Sequence, residues 1–183
     1  RHYADMVRSP DGHWLVAVEE VPRSGEEPEN RLVAFDLAGS NGEPQVIAGG
    51  HDFFSTPCFA PDGSELAFIA WDHPNMPWDA TRLYRMGWGE AGPRGQAHGV
   101  AGGSAESVVQ PRYSPAGALT FVSDRSGWWN LYQDAGSEFR PLCARAAEFA
   151  GPHWVFGMRS YDFVDTHRIL CAYREPGGDR LGL

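Results

Sequence analysis

Short runs of apolar residues, separated by turn-forming residues, follow one another along the whole chain. Runs of this length are typical of buried β-strands and are too short for an amphipathic helix of several turns. The clearest are WLVAV from Trp14, ELAFIAW from Glu65, LTFVS from Leu119 and RILCAY from Arg168. The pattern predicts an all-β protein.

Three of these runs follow the same kind of turn, namely SPDG at Ser9, APDG at Ala60 and SPAG at Ser114. Proline fixes φ at the second turn position, aspartate can accept a hydrogen bond from its own backbone, and glycine relaxes the exit. Each turn therefore predicts a tight connection between two antiparallel strands.

The unit returns with a period of about fifty residues, because the aligned strand leucines are Leu15, Leu66, Leu119 and Leu170. Four short strands in such a period are typical of a β-propeller blade. A β-sandwich would have similar strands, but it gives no reason for one turn sequence to return three times. We therefore expect blades of four antiparallel strands.

The period divides the chain into one partial propeller domain, 1–183, with blades at about 1–50, 51–103, 104–147 and an incomplete blade at 148–183. These are about three and a half blades, whereas closed rings have about four to eight. Since the sequence also begins without methionine, we expect an incomplete ring from a larger protein. Its open blade edges are expected to favour self-association.

Charge and cysteine content exclude several classes of function. All 15 basic residues are arginines, they are scattered singly, and the net charge is −9, which argues against a nucleic-acid partner. The three cysteines lie far apart without a C-x-x-C pair, so we expect no structural zinc and a reducing cytoplasm. No apolar run is long enough to span a membrane, and we expect no membrane partner.

Four longer strings are more specific than the turns: YADMVRSPDGHWLVAVEE from Tyr3, DFFSTPCFAPDGSELAFIAWDHPNMPWDAT from Asp52, FVSDRSGWWNLY from Phe121 and EFAGPHWVFGMRSYDF from Glu148. Through them the chain resembles the amino-terminal propeller of prolyl-oligopeptidase-type serine peptidases. The resemblance is to the bacterial branch of acylaminoacyl peptidases and dipeptidyl aminopeptidases, and it extends over nearly the whole chain.

The resemblance implies a non-catalytic role. In that family the propeller covers the active site of an α/β-hydrolase domain of the same protein and filters peptide substrates. The nucleophile elbow G-x-S-x-G is missing, since GGSAE at Gly102 ends in glutamate. We therefore assign no catalytic residue and no cofactor to this chain. The alternative is a stand-alone TolB-type propeller that acts as a protein-interaction scaffold.

Blade geometry predicts which loops lie together. Connections from the second to the third strand and links between blades emerge at one end of a propeller, here called the rim. The first-to-second turns emerge at the other end, here called the turn end. The candidate substrate-contacting residues on the rim are Trp71, Asp72, His73, Asn75, Trp78, Arg125, Trp128 and Trp129.

Two interpretations stay open for these residues. The tryptophans either pack between blades, which we favour, or line the rim against an apolar side chain of a peptide. Asp72, His73 and Asp79 are expected to bond within a rigid loop rather than to hold a metal ion. Arg125 either binds a peptide carboxylate or, as we favour, pairs with Asp124 or Asp162.

Glu19 and Glu20 form a second candidate group. By the same resemblance, paired glutamates bind the free amino terminus of a substrate in related aminodipeptidases. Because Glu26, Glu27 and Glu29 follow closely, a solvated acidic loop is the favoured interpretation.

Overall fold

The computed structural model describes residues 1–39 and 42–183, which fold into four antiparallel sheets. The first sheet contains β1 (His2–Arg8), β2 (Trp14–Val21), β3 (Glu29–Asp36) and β4 (Gln45–Ala48). The second contains β5 (Phe53–Phe59), β6 (Glu65–Trp71), β7 (Arg82–Gly89) and β8 (Gly92–Gly102). The third contains β9 (Val108–Tyr113), β10 (Leu119–Ser123), β11 (Asn130–Asp134) and β12 (Phe139–Pro141).

The fourth sheet has three strands, β13 (Tyr161–Phe163), β14 (Ile169–Glu175) and β15 (Gly178–Gly182). In every sheet the strands pair in chain order, so each sheet is a simple meander. The fold class predicted from the sequence is confirmed: the chain is an incomplete β-propeller. Within the described ranges, no helix is both long enough and apolar enough to cross a membrane.

The three repeated turns have the same hydrogen bond. The amide of each turn glycine donates to the carbonyl three residues earlier, and the distance is 2.9 Å for Gly12, Gly63 and Gly117. All three glycines have positive φ, between 70° and 84°, which costs a residue with a side chain about 1 kcal/mol or more. Turn chemistry therefore explains why the sequence repeats here.

Apolar side chains fill the space between neighbouring sheets in three separate clusters. The first cluster lies between sheets one and two, the second between sheets two and three, and the third between sheets three and four. Strand β6 shows the reason for its continuous apolar sequence: Phe68 belongs to the first cluster, and Ala67 and Ile69 belong to the second. Both faces of a central sheet are buried, so alternation of polar and apolar residues is lost.

The two outer faces differ from the buried ones. In β14, Cys171 packs into the third cluster, whereas Leu170 points away from it and is exposed. Leu181 on the neighbouring strand is exposed as well. The face of the fourth sheet that lies away from the third sheet therefore exposes leucine side chains beside the ion pair of Arg174 with Asp179.

The first strands of the first three sheets lie next to one another, because β1 contacts β5 and β5 contacts β9. Each contains one residue in the left-handed region, Asp5 (φ 52°), Thr56 (φ 53°) and Gln110 (φ 54°), at an interruption of the strand register. A side-chain oxygen of Asp5 accepts a hydrogen bond from the amide of Thr56 in the next sheet. These bulges link neighbouring sheets on the channel side, which we define as the side lined by β1, β5 and β9.

Candidate functional site

The link between the first and second sheets meets the loop that follows β6. His51 Nδ1 lies 2.9 Å from Asp72 Oδ2, and the Asp52 amide donates to Asp72 Oδ1 at 2.9 Å. The His73 amide in turn donates to Asp52 Oδ2 at 2.9 Å. The hydrogen bonds join two segments that are distant in sequence, and both lie at the rim.

The loop after β6 also bonds to itself, as its sequence predicted. The Asn75 amide donates to the Asp72 carbonyl at 3.1 Å, and the Met76 amide donates to Asp79 Oδ2 at 2.9 Å. Burial opposes ionisation of Asp72, but the hydrogen bonds from His51 and Asp52 outweigh it and lower the pKa of Asp72. These hydrogen bonds therefore favour the ionised carboxylate, which holds the loop against the link.

His51 is fully engaged by this network. Its second ring nitrogen, Nε2, lies 2.9 Å from the Tyr84 hydroxyl. With Asp72 on one nitrogen and Tyr84 on the other, neither nitrogen is free to activate a nucleophile. No group of three or more metal-ligating side chains is found in residues 1–39 and 42–183.

The link between the second and third sheets lies at the same end of the molecule, the rim. The Ser107 amide donates to Asp124 Oδ1 at 2.8 Å, and the Thr81 amide donates to the Glu106 carbonyl at 3.2 Å. Burial raises the pKa of Asp124 and outweighs the opposing hydrogen bond from Ser107. The second-to-third loops and the inter-sheet links are therefore bonded together at the rim.

Arg125 is held by a partner that the sequence did not indicate. Its guanidinium pairs with Glu106, at 2.5 Å, and lies over the Phe139 ring at 4.5 Å from the centroid. The expected partners were wrong: Asp124 bonds Ser107, and Asp162 pairs with Arg112 and Arg159. The guanidinium is therefore occupied by intramolecular contacts.

The four rim tryptophans divide between packing and exposure. Trp71 stacks on Phe53 with ring centroids 5.1 Å apart, and Trp129 packs against the third apolar cluster. Trp128 is 38% exposed. Trp78 lies against Trp154, with ring centroids 4.3 Å apart.

Glu19 and Glu20 lie on opposite faces of β2, as neighbours on a strand must. Glu19 is 1% exposed and pairs with Arg31 at 2.7 Å. Glu20 lies on the other face, where it bonds His2 Nδ1 at 2.9 Å. For Glu19 the solvated-loop interpretation was wrong, because its carboxylate is buried against arginine. The two carboxylates do not converge on one ligand.

A cavity of about 420 Å³ opens at the rim on the channel side. Its walls come from β2, β3, β5, β6, β9, the loop after β6 and the connection between β12 and β13. Most of the lining is apolar or aromatic. Among the sequence-predicted residues, Trp71 and Glu20 line it, whereas Asp72, His73, Asn75, Trp78, Arg125, Trp128, Trp129 and Glu19 do not. We call it the rim cavity.

The lining residues that sequence reasoning missed include a whole wall of the rim cavity, formed by His153, Trp154, Val155 and Phe156. Burial lowers the pKa of His153 to about 4, so its imidazole is neutral at physiological pH. These residues lie in the string EFAGPHWVFGMRSYDF, which carries part of the family resemblance. Its pattern of polar and apolar residues does not indicate that it extends from its own sheet toward the channel side. Its role depends on contacts with strands far away in sequence.

The comparisons with known proteins give close likenesses among solved structures. A mutant of puromycin hydrolase complexed with PGG has 32% sequence identity to this chain and a TM-score of 0.87, and the match covers 99% of this chain and 29% of that chain. A puromycin-hydrolyzing peptidase from Mycobacterium tuberculosis has 32% identity and a TM-score of 0.83, and the match covers the same shares. No family model and no curated protein matches the chain.

Two more distant likenesses concern the fold alone. Prolyl oligopeptidase B from Galerina marginata has 10% identity and a TM-score of 0.72, covering 96% of this chain and 25% of that chain. TolB from Acinetobacter baumannii has 20% identity and a TM-score of 0.57, covering 98% of this chain and 42% of that chain. The chain thus spans between a quarter and a half of the length of all four structures.

Proposed function

We propose that this chain, a partial β-propeller of the prolyl-oligopeptidase family of peptidases, is the non-catalytic portion of a serine peptidase. In that role it covers the active site of a separate α/β-hydrolase domain and filters peptide substrates. Since the chain spans 27–29% of the puromycin-hydrolysing structures, the activity and substrates of the whole protein belong to the proposal.

The rim cavity is the observation that carries this function. It lies where the inter-sheet links and second-to-third loops are bonded together, and one of its walls is apolar and partly exposed to solvent. Trp154, Val155 and Phe156 are 70%, 68% and 49% exposed. Contiguous exposed apolar residues beside a cavity are typical of a surface that contacts a ligand or another domain.

Peptide is the substrate class that the lining favours. Aromatic rings and Pro77 suit apolar side chains, and a carboxylate at the edge, Glu20, suits a cationic group. Acylaminoacyl peptidase and dipeptidyl aminopeptidase activities are the specific forms that we propose for the parent enzyme.

We assign the protein to the reducing cytoplasm on the basis of its thiols. Cys58, Cys143 and Cys171 are free. Burial raises the pKa of Cys58 to about 12 and that of Cys171 to about 11, so both remain protonated and unreactive.

The alternative is a stand-alone scaffold of the TolB type. Its support is the likeness to TolB, which at 20% identity concerns the fold alone. The peptidase proposal is preferred because the likeness to puromycin-hydrolysing structures is higher in both identity and TM-score.

The filtering role is tested in the full-length peptidase that contains this propeller. We expect His73→Ala and Trp128→Ala to change the ratio of kcat/KM between short and long peptides by more than about fivefold, or roughly 1 kcal/mol. His13→Ala, at the turn end, is the matched control. If the rim variants treat all peptides as the wild type does, the filtering role is wrong.

The isolated chain is expected to show no hydrolysis of aminoacyl p-nitroanilides, because its sequence lacks the G-x-S-x-G nucleophile elbow. Turnover that a serine-directed fluorophosphonate abolishes would contradict the non-catalytic assignment.

Self-association of the isolated chain is part of the proposal. Leu170 and Leu181 lie on the uncovered face of the fourth sheet, and exposed apolar faces and open strand edges favour association. Light scattering at tens of micromolar, a range where weak contacts are populated, should show species larger than a monomer. A clean monomer would contradict this part.

A further inference from the structure

The connection between the third and fourth sheets is much longer than the other two. It spans 142–160, whereas the earlier connections span 49–52 and 103–107. Its first half stays on the third sheet, since the Phe149 amide donates to the Trp129 carbonyl at 2.7 Å. Its second half, residues 151–159, lines cavities on the channel side together with β1, β5 and β9. We call this half the channel segment.

One buried amide holds both ends of the channel segment. Gln110 Oε1 accepts hydrogen bonds from the Ser160 amide and hydroxyl, at 2.8 and 2.9 Å. Gln110 Nε2 lies 3.1 Å from His153 Nε2. Because an amide nitrogen can only donate, His153 Nε2 must accept. Burial of His153 keeps its imidazole neutral, with a pKa of about 4, so it can do so.

The channel segment separates two cavities of different character. Trp154, Val155 and Phe156 face the rim cavity. The next residues, Gly157–Arg159, line a second cavity of about 410 Å³ toward the turn end. That second cavity also has Asp5, Arg8 and Arg112 in its lining and is therefore charged. The rim cavity thus has an inner wall and is closed toward the turn end.

The inner wall is apolar and is anchored by hydrogen bonds to Gln110. Trp154 is supported by Trp78, and the segment is tied at both ends to Gln110, which is itself buried. A preformed apolar wall binds an apolar group without first being ordered, so less free energy is lost on binding. The opposite wall contains Phe53, Phe54 and Trp71.

We propose that the rim cavity is a pocket for one apolar side chain of a peptide, in which Trp154 and Phe156 select the side chain and Gln110 positions them. The inference rests on the proposed function for its ligand class, but it concerns binding and needs no catalysis. A phenylalanine side chain brings roughly 150–250 Å² of surface to such a pocket, and a glutamate side chain brings a charge that the apolar walls exclude.

Binding is measured on the 183-residue chain with the dipeptides Phe-Gly, Leu-Gly, Ala-Gly and Glu-Gly, by saturation-transfer NMR with competition. We expect Phe-Gly and Leu-Gly to bind at least tenfold more tightly than Ala-Gly and Glu-Gly. Trp154→Ala and Phe156→Ala should each reduce the Phe-to-Ala ratio at least fivefold. Val46→Ala trims an exposed side chain of β4 that does not line the cavity, and it should leave the ratio unchanged.

Gln110→Leu and Gln110→Glu together test the positioning role. Leucine can neither accept from Ser160 nor donate to His153, so we expect it to reduce the Phe-to-Ala ratio at least fivefold. In Gln110→Glu the carboxylate still accepts from Ser160, and neutral His153 can take its Nε2–H tautomer and donate to it, so this conservative variant should keep the wild-type ratio. Equal losses in the two variants would show that Gln110 does not position the wall through these hydrogen bonds.

Failure of the inference is distinguishable from failure of the filtering role. If no dipeptide binds, or if Trp154→Ala and Phe156→Ala fold and keep the wild-type preference, the pocket assignment is wrong whatever the full-length enzyme does. If the preference for Phe-Gly depends on Trp154, but the rim variants do not change turnover in the full-length enzyme, the pocket assignment is supported and the filtering role is wrong.

Discussion

The turn end and the rim are built from different kinds of hydrogen bonds. At the turn end, three sheets repeat one bond within each turn, from Gly12, Gly63 and Gly117 to the carbonyl three residues before. At the rim, the connections bond across sheets and do not repeat: Asp72 bonds the link at His51, whereas Thr81 bonds Val108. The repeated turn bonds close each sheet, and these rim bonds fasten one sheet to the next.

The difference has a consequence for function. A turn that satisfies its own backbone needs few residue types and leaves no room for new chemistry. A rim connection is held by particular side chains, so its length can change without loss of the sheet, as the 142–160 connection shows. Ligand-contacting residues are therefore expected at the rim.

Thr81→Val should give the largest loss of stability, because it breaks a bond between sheets. The buried Thr81 hydroxyl donates to the Val108 carbonyl and accepts from the Val108 amide, both at 2.6 Å. Valine has the same shape but leaves two buried polar groups unsatisfied, which we expect to cost about 3 kcal/mol in urea unfolding. Ser64→Ala, which removes an exposed hydroxyl at the turn end, should cost about 0.5 kcal/mol or less. Equal losses of unfolding free energy in Thr81→Val and Ser64→Ala would contradict the difference between the rim and the turn end.

Arg125→Ala should cost about 2 kcal/mol, because it removes the ion pair with Glu106 and the packing over Phe139 and Tyr132. The matched variant at the turn end is Arg8→Ala, whose guanidinium donates only to the Gly12 carbonyl at an exposed site. We expect that change to stay within about 0.5 kcal/mol. If Arg125→Ala left the free energy of unfolding unchanged, the contacts with Glu106 and Phe139 would not hold the guanidinium, and it would be free for a ligand.

As the pH is lowered, protonation of a rim residue, His153, should reduce the free energy of unfolding before any group at the turn end does. His153 has a pKa of about 4 in the folded chain because it is buried, and about 6.5 when unfolded. Between these two pH values the unfolded state therefore binds more protons than the folded state. The free energy of unfolding decreases as the pH is lowered, by up to about 1.4 kcal/mol per pH unit. Unfolding free energies of the wild type and His153→Gln should converge as pH drops from 6.5 to 4.

The aspartates of the turn end become protonated only at lower pH. A hydrogen bond from Ser9 lowers the pKa of Asp11, and one from Ser64 lowers that of Asp62. Their contribution to stability is present above the unfolded pKa of about 3.9 and is lost only as pH falls through the lower folded values. Asp11→Asn and Asp62→Asn should therefore leave the slope between pH 6.5 and 4.5 unchanged.

Backbone strain should give the smallest effect and no contrast between the two ends. Gly117 at the turn end and Gly127 in a rim loop have φ of 84° and 81°, and a Cβ would meet no atom within 4 Å at either. Alanine at each position should cost about 1 kcal/mol, from the left-handed conformation alone. Thermal unfolding that separates the two variants widely would show that one loop depends on more than its local geometry.

The sequence by itself determined the repeat and the local structure of each unit. The turns at Ser9, Ala60 and Ser114 and the apolar runs after them predicted antiparallel strands in four-stranded units, because turn propensity and burial periodicity act within a few residues. The same reasoning predicted that loops such as the one at Asp72 would meet the inter-sheet links at the rim. It also predicted that this loop would bond to itself.

Only the tertiary structure decided which side chains meet. Glu106 rather than Asp124 pairs with Arg125, Glu19 is buried against Arg31 while Glu20 faces the rim cavity, and Gln110 draws residues 151–159 into the channel. Each of these contacts joins different strands or sheets, and its partner is selected by the packing of the sheets. Local propensity carries no information about such pairs, since their geometry exists only after neighbouring sheets have buried their apolar faces against each other.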